Sequence, residues 1–402
     1  MARGDGPLAG MKVIDLSHVM AGPTCALMLA DMGADVIKVE KVPGGDDSRR
    51  FVPPYIGEES AAFLVMNRNK RSLAVDLKQE PGRAVVRRLI ENADVLIENY
   101  RRGTLERLGL GYESLRKDHP GLIYCAISGF GRTGPYADRG GFDLIAQGMS
   151  GLMSITGEEP GRPPCKVGAP ISDITAGILA AMGVAAAYAH KLETGEGQQV
   201  DTSLFEAAII HTYWQSAITF ATGESPGPMG TAHPLSAPYQ AFETADGWLT
   251  VGAANQKNWL RLLEALDEPA LADDPRFADN QGRMMHLAEL EAALTPHFKK
   301  RTTEEWLARL EAVGLPAGPV FDIAHMHQDP HALAREMVVD VPHARLSTTR
   351  GIGMPVKFSA TPARTNRGAP VYGQHTREVL AEQGYSPSEI DDLIEAGVVV
   401  AS

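Results

Sequence analysis

Residues 11–40 read MKVIDLSHVMAGPTCALMLADMGADVIKVE, and this stretch decides the fold. Met11–Leu16 is a short apolar run fit for a strand, Gly22–Met32 has helical spacing, and Asp35–Val39 is a second apolar run. Two such strands joined by a helix make a βαβ unit. Further strands are predicted at Ser72–Val75, Asp94–Glu98 and Leu122–Ser128, with a helical pattern at Pro81–Asn92 between the first two. Strands alternating with helices imply an α/β fold whose largely parallel sheet is covered on both faces. From Asp173 to Leu192 a long helix rich in Ala, Ile and Leu runs into the Thr194-Gly195-Glu196-Gly197 turn. Gln198–Thr202 follows as a strand, and Ser203 is placed to cap another helix.

The texture changes after Thr222. Gly223–Pro238 is dense in Gly, Pro, Ser and His, as a linker or active-site loop would be. Gly247–Gly252 reads as a strand and Gln256–Val313 as mostly helical. The expected organisation is therefore a large domain beginning at 1–222, a smaller α+β domain with its linkers at 223–325, and a return to the large domain at 326–402. Ser386-Pro387-Ser388-Glu389 marks the start of a C-terminal helix.

A chain of 402 residues exceeds the usual single core, which also favours two domains. Hydrophobic residues make up 44% and charged residues 22%, as in an ordinary globular protein. No stretch nears the roughly 20 uninterrupted apolar residues of a membrane span, and the first residues do not form a secretory signal. Cys25, Cys125 and Cys165 show no CxxC spacing. No membrane partner and a reducing, cytoplasmic setting are expected.

The net charge of −12 speaks against nucleic acid as a partner. Residues 1–110 are the exception, with 16 Lys and Arg against 15 Asp and Glu. Their cations cluster near strand ends and loops: Lys38, Lys41, Arg49, Arg50, Arg68, Lys70, Arg71, Lys78, Arg101, Arg102 and Arg107. A locally basic face suits a polyanionic small molecule.

Glu40 ends the second strand where a dinucleotide-binding fold would place a ribose ligand. The preceding turn, Ser17-His18-Val19-Met20-Ala21-Gly22-Pro23, lacks G-x-G-x-x-G, so no nicotinamide or flavin is expected. His325, His327, Asp329 and His331 have metal-like composition but sit in a polar connection, and no metal site is expected. There is no G-x-S-x-G elbow for a serine hydrolase. Carboxylates remain. Gly168-Ala169-Pro170-Ile171-Ser172-Asp173-Ile174-Thr175-Ala176-Gly177 places an aspartate at the start of a long apolar helix. Ser172 or Asp173 could cap that helix, and a positioned carboxylate could equally act as a covalent nucleophile.

Six further motifs accompany it: residues 15–23, 30–40, Asn67–Ser72, Asp94–Gly103, Ser128-Gly129-Phe130-Gly131 and Gly141-Phe142-Asp143. Together they resemble the class III CoA-transferases, from about Leu8 to Thr376. The resemblance implies Asp173 as aspartyl nucleophile and coenzyme A as substrate, with no other cofactor. It implies CoA contacts at Met20, Ala21, Lys41, Val75 through Lys78, Asn99, Tyr100, Arg101 and Arg107, with Phe142 and Asp143 near the thioester. It also implies a homodimer of interlocked rings, each built from a Rossmann-like large domain and a small domain.

The racemase branch of that family places a His where this chain has Phe142 and a Glu where it has Asn255. Proton abstraction beside a thioester needs an acid and a base, and neither residue supplies one. The formyl-CoA transferases have a Gln at Met20 and a glycine loop where this chain has Gly230-Thr231-Ala232-His233-Pro234, so oxalate is not the expected acceptor. A small or dicarboxylic acid is.

Overall fold

The computed structural model describes residues 6–363 and 365–402. The chain forms two compact units, residues 6–150, 167–211 and 330–402 in one and residues 151–166 and 212–329 in the other. The helix Tyr213–Thr222 falls in the second unit, so the division comes earlier than residue 222.

The first unit is built on a seven-stranded sheet. Its elements in chain order are β1 (Lys12–Asp15), α1 (Ala21–Asp31), β2 (Asp35–Lys41), β3 (Lys70–Val75), α2 (Glu80–Glu91), β4 (Val95–Glu98), α3 (Thr104–Arg107), β5 (Ile123–Ser128), α4 (Asp143–Met149), α5 (Ile171–Thr194), β6 (Gln199–Ser203) and α6 (Leu204–Ile209). The order across the sheet is β3-β2-β1-β4-β5-β6, all parallel, with Val399–Val400 added antiparallel at the β3 edge. β1 therefore lies between β2 and β4, with Val13 in register with Val36 and Val95. At that position the winding reverses, which opens a crevice beyond the carboxyl ends of β1 and β4.

Both faces of the sheet are covered. On one, α1 and α5 pack through Cys25, Ala26, Leu29, Ala176, Ala180 and Val184 against β1, β4 and β5. On the other, Leu89 and Ile90 of α2 and Val379 and Leu380 of the C-terminal segment close over Ile14, Ile37 and Leu96. α5 has the length and apolar composition to cross a membrane, but its small residues are buried against α1. The close approach depends on Gly177, where a Cβ would fall 2.6 Å from the Ala21 carbonyl oxygen and 2.7 Å from Thr24 Cβ.

The second unit holds a three-stranded antiparallel sheet, Tyr239–Glu243, Trp248–Gly252 and Ala317–Pro319. Its helices close a core around Trp259, Phe242, Phe277, Phe298 and Trp306. Ser203 caps α6 and Ser386 opens the helix Pro387–Glu395 in a capping box, as their sequence positions imply.

Candidate active site

The crevice is shaped by buried charge. Asp15 at the end of β1 accepts from Lys70 Nζ at 3.1 Å, and Lys38 of β2 sits 2.8 Å from Asp46 and donates to the Ser17 carbonyl at 3.0 Å. All four side chains are buried. Burial pulls Lys70 down to about 8, while for Lys38 the same penalty is outweighed by Asp15, Asp46 and Glu40 and the net shift is upward. A buried charge is tolerated only when paired in this way. The pairing fixes the turn after β1. Val19 adopts φ 68°, costly for a β-branched residue, and its N–H donates to the Asp46 carboxylate at 3.1 Å.

The same turn is tied to the end of β4. The His18 N–H donates to Asn99 Oδ1 at 2.9 Å, Asn99 Nδ2 donates to the His18 carbonyl at 2.8 Å, and His18 Nε2 lies 2.7 Å from the Tyr100 hydroxyl. Burial pushes Tyr100 up to about 12 and holds the imidazole below its usual pKa, so both are neutral near pH 7. This clasp spans the reversal point of the sheet and leaves α1 opening beside it.

α5 brings Asp173 to the same carboxyl edge. The helix starts two residues before Asp173, with Pro170 at the N-cap and no side-chain cap bond from its own first turn. Asp173 therefore does not cap the helix, nor does Ser172. The cap comes from α4, where Asp143 Oδ1 accepts the Ser172 N–H at 2.9 Å. Gln147, 0% exposed, donates to Asp143 Oδ2 at 2.7 Å and accepts from the Val167 N–H at 2.9 Å, anchoring the strap before α5. Gly129 and Gly141 allow α4 to start here: a Cβ on Gly141 would lie 2.5 Å from Gly129 Cα. Among the described residues the Asp173 carboxyl has neither a hydrogen-bond donor nor a cation within ion-pair distance. Burial, and then the like charge of Asp143, push it up to about 7.

Few of the cations grouped by sequence are available. Lys38, Arg49, Lys70, Arg68 and Arg71 are bound to Asp46, Glu40, Asp15, Asp31 and Asp35 respectively. Arg50 and Lys41 both pair with Asp47. Glu40 is held by Arg49, Ser72 and the Asp46 N–H, which leaves it no capacity for a ribose. Arg101 and Arg107, beyond β4, are exposed and without a carboxylate partner among the described residues. The Arg101 guanidinium lies against Gly140, 3.1 Å from where a Cβ would stand, and Arg107 only brushes Thr104 Oγ1 at 3.4 Å.

A family model described as CoA-transferase family III matches residues 8–376. The chain belongs to that family. It is 44% identical over 382 residues to the succinate–glutarate CoA-transferase of Agrobacterium fabrum, covering 94% of this chain and 95% of that protein. It is 36% identical over 394 residues to the human succinyl-CoA:glutarate CoA-transferase, 98% and 90% of the two chains. A CAIB/BAIF family protein from Brucella suis of known structure superposes with a TM-score of 0.84 at 40% identity, over 94% of this chain and all of that one.

For a CoA-transferase of this family, the residues expected to meet CoA divide by accessibility. Met20, Asn99 and Tyr100 are half-buried beyond the carboxyl ends of β1 and β4, Ala21 opens α1, and Lys78, Arg101, Arg107 and Phe142 are exposed. The Val75 side chain is 0% exposed in the core of β3, between Lys41 and Val399 in register, so only its backbone is placed to meet a ligand. Asn255 accepts the Asn258 N–H as the N-cap of the helix Gln256–Leu266. Sequence reasoning missed Gln147, because a lone Gln in an apolar helix carries no periodic signal. It also missed Asp46, because a polar Asp in a Gly-rich loop reads as solvated and nothing in local composition marks its pairing with Lys38 and the Val19 N–H.

Proposed function

We propose that this enzyme moves coenzyme A from an acyl-CoA, such as succinyl-CoA, to a small dicarboxylic acid, with Asp173 as covalent carrier. The observation that carries the reading is the Asp173 carboxyl itself. It is half-buried, uncapped, free of counter-charge among the described residues, and basic for a carboxylate. The succinyl-CoA and glutarate named for the relatives support the donor and acceptor.

In the first step an ionised Asp173 oxygen attacks the donor thioester carbonyl and expels CoA as thiolate, leaving an aspartyl–acyl anhydride. The thiolate attacks Asp173 Cγ and expels the donor carboxylate, leaving an aspartyl-CoA thioester. The acceptor carboxylate attacks the same carbon, forming a second anhydride and releasing thiolate. Thiolate then attacks the acceptor acyl carbon, giving the new acyl-CoA and restoring Asp173. Overall one thioester replaces another, so no cofactor beyond CoA is required, and water must be kept from the more reactive anhydrides. Arg101 and Arg107 would hold CoA phosphates, since a guanidinium offers a planar fork to their oxygens.

The working form we propose is a homodimer. Phe142 (74% exposed), Leu144, Ile145, Ile178 and Met182 leave large apolar side chains exposed on α4 and α5, the kind of surface a partner subunit covers.

Incubation with succinyl-CoA and a panel of mono- and dicarboxylic acids, with mass detection of new thioesters, tests the reading. New acyl-CoA from dicarboxylic acids is the expected result. Hydrolysis alone, or no product, would overturn it.

A further inference from the structure

Two carboxylates meet at the first turn of α5, its own Asp173 and Asp143 of α4, and among the described residues no cation pairs with either. Asp143 is fixed by two neutral donors, the Ser172 N–H and Gln147 Nε2, so its charge is oriented but not cancelled. Asp173 follows Ser172 directly. We propose that Asp143 is a positioning residue for the nucleophile: it withdraws the Ser172 amide from Asp173 and holds beside it a negative charge whose repulsion acylation of Asp173 relieves.

Two effects follow from that geometry. An aspartate in the first turn would ordinarily be quieted by backbone N–H groups. Here the Ile171 N–H is bonded to the Ala169 carbonyl and the Ser172 N–H to Asp143, so Asp173 keeps its lone pairs for substrate. Anhydride and thioester formation both turn Asp173 neutral, so each covalent state escapes the repulsion that the free carboxylate suffers. The uncharged intermediate is favoured relative to the resting enzyme, and the carboxylate is the more basic nucleophile.

Other groups around α5 do not share the role. Elements packed against it are α1, α4, α6, β5 and β6. On α1, Cys25 is in the core and Asp31, at the far end, is bound by Arg68. On β5, Cys125 lies in the core and Tyr124 on the opposite face of the sheet. Asp201 of β6 accepts the Arg132 N–H, Glu206 of α6 is bonded to Ser203, and His211 pairs with Thr175 at 2.9 Å. Asp143 is the one charge that acts on Asp173 among these, and it reinforces the effect of burial.

The proposal rests on Asp173 being the nucleophile, and the test separates the two. Rates of CoA exchange are measured against pH for the wild type, Asp143→Asn and Asp143→Glu, and Asp173 adducts are trapped with hydroxylamine and quantified by mass spectrometry. In Asp143→Asn the acid limb should move down by about one pH unit, and the alkaline rate should fall about tenfold with little change in KM for acyl-CoA. The trapped fraction should fall as well. Asp143→Glu keeps the charge and should keep the limb near its wild-type position. Should Asp143→Asn not fold, Asp143→Ser is measured with the same expectation. A folded neutral variant with an unmoved limb, or equal losses in the Asn and Glu variants, would overturn the proposal. Absence of any Asp173 adduct in the wild type would instead overturn the nucleophile assignment.

Discussion

The carboxylate of Asp143 accepts the Ser172 N–H at 2.9 Å, so the amide that opens the helix is occupied one residue before Asp173. The nucleophile candidate is left half-buried, without a donor or cation among the described residues and next to a like charge, an arrangement that costs stability. Its pKa is raised from 3.8 to about 7 by burial and then by Asp143.

A carboxyl whose folded pKa exceeds its unfolded pKa holds extra protons in the folded state, so stability is highest below the unfolded value and falls as pH rises through the folded one. Asp173→Asn should therefore stabilise the protein at pH values above about 7, by about 1–3 kcal/mol after allowing for partial solvent exposure, and do little below 3.8. Thermal melts of the two proteins at both ends of that range check it. Exchange activity in the wild type should rise with pH through about 7, as Asp173 ionises.

Gly177→Ala tests whether the α1–α5 contact sets the site. The new Cβ would meet backbone, the Ala21 carbonyl oxygen at 2.6 Å, which no rotamer change can relieve. The expected cost is about 1–3 kcal/mol of stability, with exchange activity falling more than the fraction unfolded explains. Chemical denaturation and steady-state kinetics read the two losses separately.

Arg107→Ala should weaken CoA binding by about ten- to a hundredfold, the worth of a charged hydrogen bond of about 1.5–3 kcal/mol. Arg107 has no ion pair among the described residues, and Glu106 does not hold it, so its removal should barely alter the fold. Titration calorimetry with CoA measures the effect, with circular dichroism as the folding control. Unchanged affinity would remove Arg107 from the site.

Phe142 and Asn255 predict that 2-methylacyl-CoA esters show no exchange of the alpha proton in heavy water. Phe142 has no proton to give, and Asn255 Oδ1 is engaged as a helix cap. Deuterium uptake followed by mass spectrometry at enzyme levels that support CoA transfer is the measurement.

The βαβ reading of residues 11–40 survives nearly residue for residue, because the strands are apolar runs and the helix follows its own period. The role of Asp173 was not legible in the same way. Sequence put the helix start at that residue, where a cap and a nucleophile look alike; the helix begins at Ile171 and its cap comes from Asp143, far back in the chain. Lys38 and Lys70 were read as surface cations. They are buried because Asp15 and Asp46 converge on them, and long-range pairing leaves no mark on local composition. The Val75 side chain faces the core for the same reason that β3 is a good strand.

The most direct test of the account is to mix the enzyme with succinyl-CoA, quench with hydroxylamine, and map the modified peptide by mass spectrometry. The account predicts a hydroxamate on Asp173, absent from a folded and inactive Asp173→Ala variant. Continued CoA exchange by that variant, or a modification on any other carboxylate, would contradict it.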